Sequence, residues 1–145
     1  MVENDVDTVL VLWNENCREA ARSGLPPDAS ARVRANLLQY TVHRDTVCLV
    51  AEEQHELLGF IIGYATSHPV MDGLLGELEE MYVRPTARRH GIGSTLVEHA
   101  VIALRRRGAS VIRAFVSCDS PIANAFWQRS GWENDMTTFS LYESE

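Results

Sequence analysis

The sequence predicts a layered α/β (α+β) domain, a central mixed and mostly antiparallel β-sheet flanked by helices. Two observations carry the prediction. Segments with apolar residues at helical spacing alternate with short β-branched runs, in the order helix, helix, three strands, helix, strand, helix, strand. The length of 145 residues suits one domain, expected over 1–145, and 46% hydrophobic residues are enough to bury a core.

Each element has its own signal. Val6, Val9, Leu10, Trp13, Cys17 and Ala20 place a helix over 5–23, with Gly24 as its stop. Asp28 is a cap for a second helix reaching about residue 42, with Val33, Leu37 and Tyr40 as its buried stripe. The runs TVCLVAEE and LLGFIIGYAT, separated by polar QHE, read as a hairpin. GELEEMYV (76–83) is a third strand and IGSTLVEHAVIALRRRG a long helix. Arg105, Arg106 and Arg107 complement the negative end of that helix, and Gly108 stops it. SVIRAFVS (110–117) is a strand, SPIANAFWQRSG a short helix with Pro121 in its first turn, and MTTFSLYE a last strand.

Composition excludes several function classes. There is no apolar run of about 18 residues, so no membrane span is expected. The acidic start MVENDVDT does not read as a secretory signal. Cys17, Cys48 and Cys118 are odd in number and far apart, which argues against a disulfide framework or a metal cluster and suits a reduced cytoplasm. The histidines show no metal-ligand spacing. A net charge of −7 disfavours nucleic acid, which needs clustered cations.

One stretch departs from that acidity. Arg84, Arg88, Arg89 and His90 precede Gly91, Ile92, Gly93 and Ser94, where the long helix starts. A helix N-terminus offers unpaired N–H groups and a positive dipole end, which favour phosphate. Glycines there let backbone approach an anion, and arginines add forked donors. A dinucleotide fingerprint needs a third glycine where Leu96 stands, and a P-loop needs Gly-Lys-Ser/Thr, so neither is matched.

The run Arg88-Arg89-His90-Gly91-Ile92-Gly93 resembles the Arg/Gln-x-x-Gly-x-Gly/Ala signature of the GNAT superfamily of N-acetyltransferases. About 40 residues on, AFWQRSGW resembles the family's second signature, and the resemblance covers roughly residues 5–142. It implies acetyl-CoA as cosubstrate, no metal, and transfer of acetyl to a primary amine, on a small molecule or peptide, by direct attack in a ternary complex. The implied cofactor residues are Met81, Tyr82, Val83, Arg88, Arg89, His90, Gly91, Ile92, Gly93 and Ser94, with Ser120, Ala123 and Trp127 from the second signature. A homodimer is a further implication, since dimers are common in the family.

The sequence departs from the family in two places. The family opens on a strand, whereas here the first strand is short or missing. Trp127 stands where a tyrosine often protonates the departing thiolate, and an indole N–H is no acid near neutral pH. A CoA-binding module without catalysis is therefore the alternative reading. As base, the acidic run Glu77-Leu78-Glu79-Glu80 supplies Glu79 or Glu80, Glu80 being preferred. Tyr82, Ser120, Cys118 or water are left to protonate the thiolate. Strict alternation fails between Leu78 and Val83, and a β-bulge on this strand would reconcile the two phases. The resemblance also implies that Trp13, Asn16 and the second helix border the acceptor pocket.

Overall fold

Val6, Val9 and Leu12 lie three residues apart and are the fully buried stripe of helix α1 (Val6–Ala21) in the computed structural model, which describes residues 1–141. A short 3₁₀ turn, Glu3–Asp5, leads into α1. The helix ends on Arg22, in the left-handed region at φ 58°, two residues before the expected stop at Gly24. Helix α2 (Pro27–Val42) starts on Pro27, whose fixed φ suits a first helical position. Asp28 lies inside that first turn rather than at the cap, and it pairs with Arg32 one turn on.

Four strands follow the two helices: β1 (Thr46–Glu53), β2 (Glu56–Ser67), β3 (Leu74–Val83) and, after helix α3 (Ile92–Arg106), β4 (Ala109–Ala114). Their order in the sheet is β1-β2-β3-β4. The first two neighbours pair antiparallel and β3 pairs with β4 in parallel, so the sheet is mixed and mostly antiparallel as expected. Short helix α4 (Pro121–Arg129) completes the regular elements among the described residues.

The chain divides into two compact units, Met1–Phe115 and Val116–Glu145. In the first, α1 and α2 cover one face of the sheet and α3 the other. The core between α1, α2 and the sheet is built from Val6, Val9, Leu12, Leu37, Leu57, Phe60, Ile62 and Tyr82, with the Trp13 ring stacked 5.7 Å from that of Phe60. Leu96, Val97, Ala100 and Leu104 are the buried stripe of α3. In the second unit, Ser120 caps α4 by accepting from the Ala123 amide, and Trp127 meets Phe126 and Trp132 edge-on.

Two expectations about strands meet different fates. No strand precedes α1, and what lies beside β1 is Met1, whose amine donates to the Cys48 carbonyl. Arg107 bonds the Arg44 and Thr46 carbonyls, so three outward carbonyls along this edge have partners. The last strand, expected as MTTFSLYE, is not found. Residues 136–141 have no regular structure, with Phe139 92% and Leu141 100% exposed, and Tyr142 and Glu143 lie outside the described residues. Strand propensity measures fit to a half-buried pleated surface, and these side chains have no such surface to pack on.

Candidate active site

The acidic run on β3 meets its neighbour out of register. Ile62 faces Glu80 while Gly63 faces Leu78, so Glu79 is an extra residue and the strand is bulged there. Gly63 is needed opposite: a Cβ on it would stand 2.6 Å from the Glu77 carbonyl oxygen. The bulge reconciles the two phases seen in the sequence. It turns Leu78 toward one face and Glu80 and Tyr82 toward the other, where α1 and α2 pack.

On that face Glu80 accepts a hydrogen bond from the Asn16 amide of α1. Burial, reinforced by the nearby Glu79 carboxylate, pushes the Glu80 carboxyl up to about 7, against the opposing pull of the Asn16 bond. Cys17 stands on the next position of α1, its thiol pushed up by burial and then by Glu80. Glu79 is exposed and lies on the side of Tyr40, whose phenol is raised by burial and then by that carboxylate. The Tyr64 phenol is raised first by its hydrogen bond with Glu77, the residue facing it across the ladder. One carboxyl poised near neutrality among other acids is the arrangement a proton acceptor at pH 7 requires.

Beyond Leu78 the sheet opens. The ladder between β3 and β4 ends at Leu78 opposite Ala114, with the Phe115 amide bonding the Leu78 carbonyl as the last rung. From Glu79 to Val83, β3 has no strand on that side among the described residues. The Arg84 amide bonds Leu58 on the β2 side, so alternation turns the amides of Met81 and Val83 toward the gap.

Helix α3 starts a few residues later. Gly91 is its N-cap at φ 82°, a left-handed conformation that glycine adopts freely, and a Cβ there would meet nothing within 4 Å. No side chain caps the helix, and its first backbone bond runs from Thr95 to the Gly91 carbonyl. The amides of Ile92, Gly93 and Ser94 precede that bond and are free for an anion, so the chain's own groups suit a phosphate at this position. Arg89, at φ 65°, takes a strained left-handed conformation on the approach. His90 and Ile92 line a groove of about 730 Å³ between α3 and β1, with Leu49, Ala51, Leu96 and His99 among its walls.

The arginines do not behave alike. Arg88, expected at the phosphate, has its guanidinium held elsewhere: two bonds to the Glu19 carboxylate at 2.8 and 2.7 Å, and one to the Val83 carbonyl at 2.8 Å. Its carbon also lies 5.5 Å from the centre of the Tyr82 ring. Arg84 forks onto Glu15 at 3.2 and 3.1 Å and reaches Glu56. Tyr82 itself is buried, its phenol raised by burial and then by Glu19 and Glu15. Ser120, Ala123 and Trp127 belong to the second unit, where Cys118 is exposed. Glu15 and Glu19 escape a reading of the sequence. The only signal is that two acids four apart on α1 match two arginines four apart in the loop.

A layered unit whose bulged central strand parts from its parallel neighbour ahead of an uncapped helix defines an acyltransferase fold. The chain belongs to the acetyltransferase (GNAT) family, whose model matches residues 11–132. It is 28% identical over 132 residues to an uncharacterized N-acetyltransferase, YhfO, of Bacillus subtilis (strain 168), covering 91% of this chain and 86% of that one. Among solved structures it superposes on a transcriptional regulator from Bacillus halodurans C-125 with a TM-score of 0.85 at 17% identity, over 99% of this chain and 96% of that one. It likewise superposes on the aminoglycoside N-acetyltransferase AAC(6')-Iy in complex with CoA, with a TM-score of 0.81 at 14% identity over 99% and 91% of the two chains. At such identities the structural likenesses speak to the fold. Among the described residues no helix is long and apolar enough to cross a membrane, and no cluster of possible ligands could hold a metal ion.

Proposed function

We propose that the protein is an acetyl-CoA-dependent N-acetyltransferase that moves acetyl to a primary amine by direct attack in a ternary complex. The observation that carries this is Glu80, a carboxyl bonded by Asn16 and held near neutrality by burial and then by Glu79, on the strand that leads to an uncapped helix start. Family membership over most of the chain supports it, and the matched region spans parts of both compact units, in keeping with one domain.

In this reading acetyl-CoA supplies an activated thioester, and the chain does the rest. The amides of Ile92, Gly93 and Ser94, framed by Gly91, hold the pyrophosphate. The amide of Met81 or Val83, in the gap, donates to the thioester oxygen as charge builds there. Glu80 takes the proton that the acceptor ammonium must lose, so that the nitrogen can attack the carbonyl carbon while the carbon–sulfur bond breaks. The thiolate gains its proton from water, and the second proton that the attacking nitrogen sheds as it becomes an amide is returned to that water. The indole of Trp127 cannot supply it, and the Tyr82 phenol, buried under Arg88, holds its proton more tightly than an ordinary tyrosine. The acceptor is a small-molecule or peptide amine, and cationic acceptors suit the acids of β3. The protein works in the cytoplasm and as a homodimer in this reading.

The alternative, a CoA-binding module without turnover, is motivated by Trp127 at the position of the usual acid. The two separate in one assay: thiol release from acetyl-CoA against a panel of primary amines. We expect turnover with at least one amine. Stabilisation of the protein by CoA with no thiol release across the panel would favour the binding module.

A further inference from the structure

Glu15, Asn16 and Glu19 occupy little more than one turn of α1, and each reaches a different point of the segment that carries the chemistry. Asn16 bonds Glu80 on the bulged strand, Glu15 forks onto Arg84 just past the strand's end, and Glu19 forks onto Arg88. Arg88 closes the set by bonding the Val83 carbonyl, the last residue of β3, and by stacking over Tyr82. Three of the five guanidinium N–H groups of Arg88 are thereby committed within the protein. The pair is partly sheltered, with side chains 28% and 38% exposed for Arg88 and Glu19. Forked geometry of this kind fixes direction as well as distance.

We infer that Glu19 and Arg88 form a bracket that positions the phosphate-binding turn relative to Glu80, and that Arg88 is a positioning residue rather than a phosphate ligand. The inference rests on the functional reading above, because it takes the turn at Gly91–Ser94 as the place where the cosubstrate is held. Its physical content is that one helix fixes both ends of the active segment. Asn16 holds the base, and Glu19, three residues on and so on nearly the same face of the helix, holds the arginine three residues ahead of the turn. If the bracket opens, the free amides drift from the base and cosubstrate binding weakens, although no phosphate contact has been removed.

Steady-state kinetics and CoA titration calorimetry on the full chain test this, with Glu19→Gln, Arg88→Gln, both changes together, and the charge exchange Glu19→Arg with Arg88→Glu. Thermal melts confirm that each variant is folded. The bracket predicts that either single change raises the acetyl-CoA KM by about fivefold to tenfold, and that the double change is no worse than either, as for groups acting through one contact. The amine KM and the pH dependence of kcat stay as in wild type, and the charge exchange recovers part of the loss. A general loss of stability would move none of these selectively. The inference is overturned if Arg88→Gln weakens CoA binding while Glu19→Gln leaves it unchanged or tightens it, since a freed arginine would then be contacting phosphate. It is overturned equally if neither change alters CoA binding. Wild-type protein that binds no CoA sinks the functional reading, and the inference with it, before any variant is compared.

Discussion

Glu80→Gln lowers kcat by roughly two to three orders of magnitude and leaves the acetyl-CoA KM near its wild-type value, as expected for loss of a positioned general base. The glutamine keeps the shape of the side chain and can still accept from Asn16, so the loss reports on the proton rather than on packing. The pH dependence follows from the same group. Glu80 must be ionised to act, and burial followed by Glu79 holds it up to about 7, so wild-type kcat rises with pH through that value and then levels. The variant lacks this limb.

Stability runs the other way. A carboxyl raised from its ordinary value of 4.5 to about 7 favours the folded state in its protonated form, so its contribution is present at low pH and is lost as pH climbs through the folded value. Glu80→Gln should therefore melt above wild type near about pH 8, with the difference closing near about pH 5. Calorimetric melts at the two pH values, beside initial rates, check both halves. A wild-type rate that is flat from acid to alkaline pH, with full activity in the variant, would remove Glu80 from the chemistry.

Gly93→Val acts at the other end of the site. Residue 93 lies in the first turn of α3, between the free amides of Ile92 and Ser94. A branched side chain there stands where the anion must approach, and small displacements of a bound group are costly, so the acetyl-CoA KM should rise by at least about tenfold. Circular dichroism and a melting curve show whether α3 still forms, which it should, because one valine in a 15-residue helix is a modest propensity change. Unaltered CoA affinity in a folded variant would move the phosphate elsewhere.

Much of this was legible in the residues. The period change from α2 to β1, the glycine at the start of α3 and the failed alternation on β3 are local signals, and each corresponds to a local feature: a hairpin, an uncapped helix, a bulge. The bulge in particular follows from parity, since a strand cannot bury Leu78 on one face and hold Glu80 with Tyr82 on the other without an extra residue. What escaped is tertiary. Arg88 reads the same in the sequence with or without Glu19 beside it, and only the approach of α1 across nearly 70 residues of chain brings that partner. Asp28 looked like a cap because its type favours that place, yet the cap is Pro26 and the helix starts two residues sooner, at Pro27. The run MTTFSLYE carries every preference of a strand, but preference without a neighbouring ladder does not make one over 136–141.

The gap beside β3 gives the sheet an unusual property. Sheets usually confine unpaired donors to their outermost strands, where charge, bulges or covering loops blunt them. Here Tyr82 and Arg84 are locked to β2, while the amides of Met81 and Val83 in the same strand stay open to whatever enters. The protein thus carries an interior edge. Its central strand keeps unpaired donors at Met81 and Val83, past the bulge at Glu79 and beyond the end of the ladder to β4.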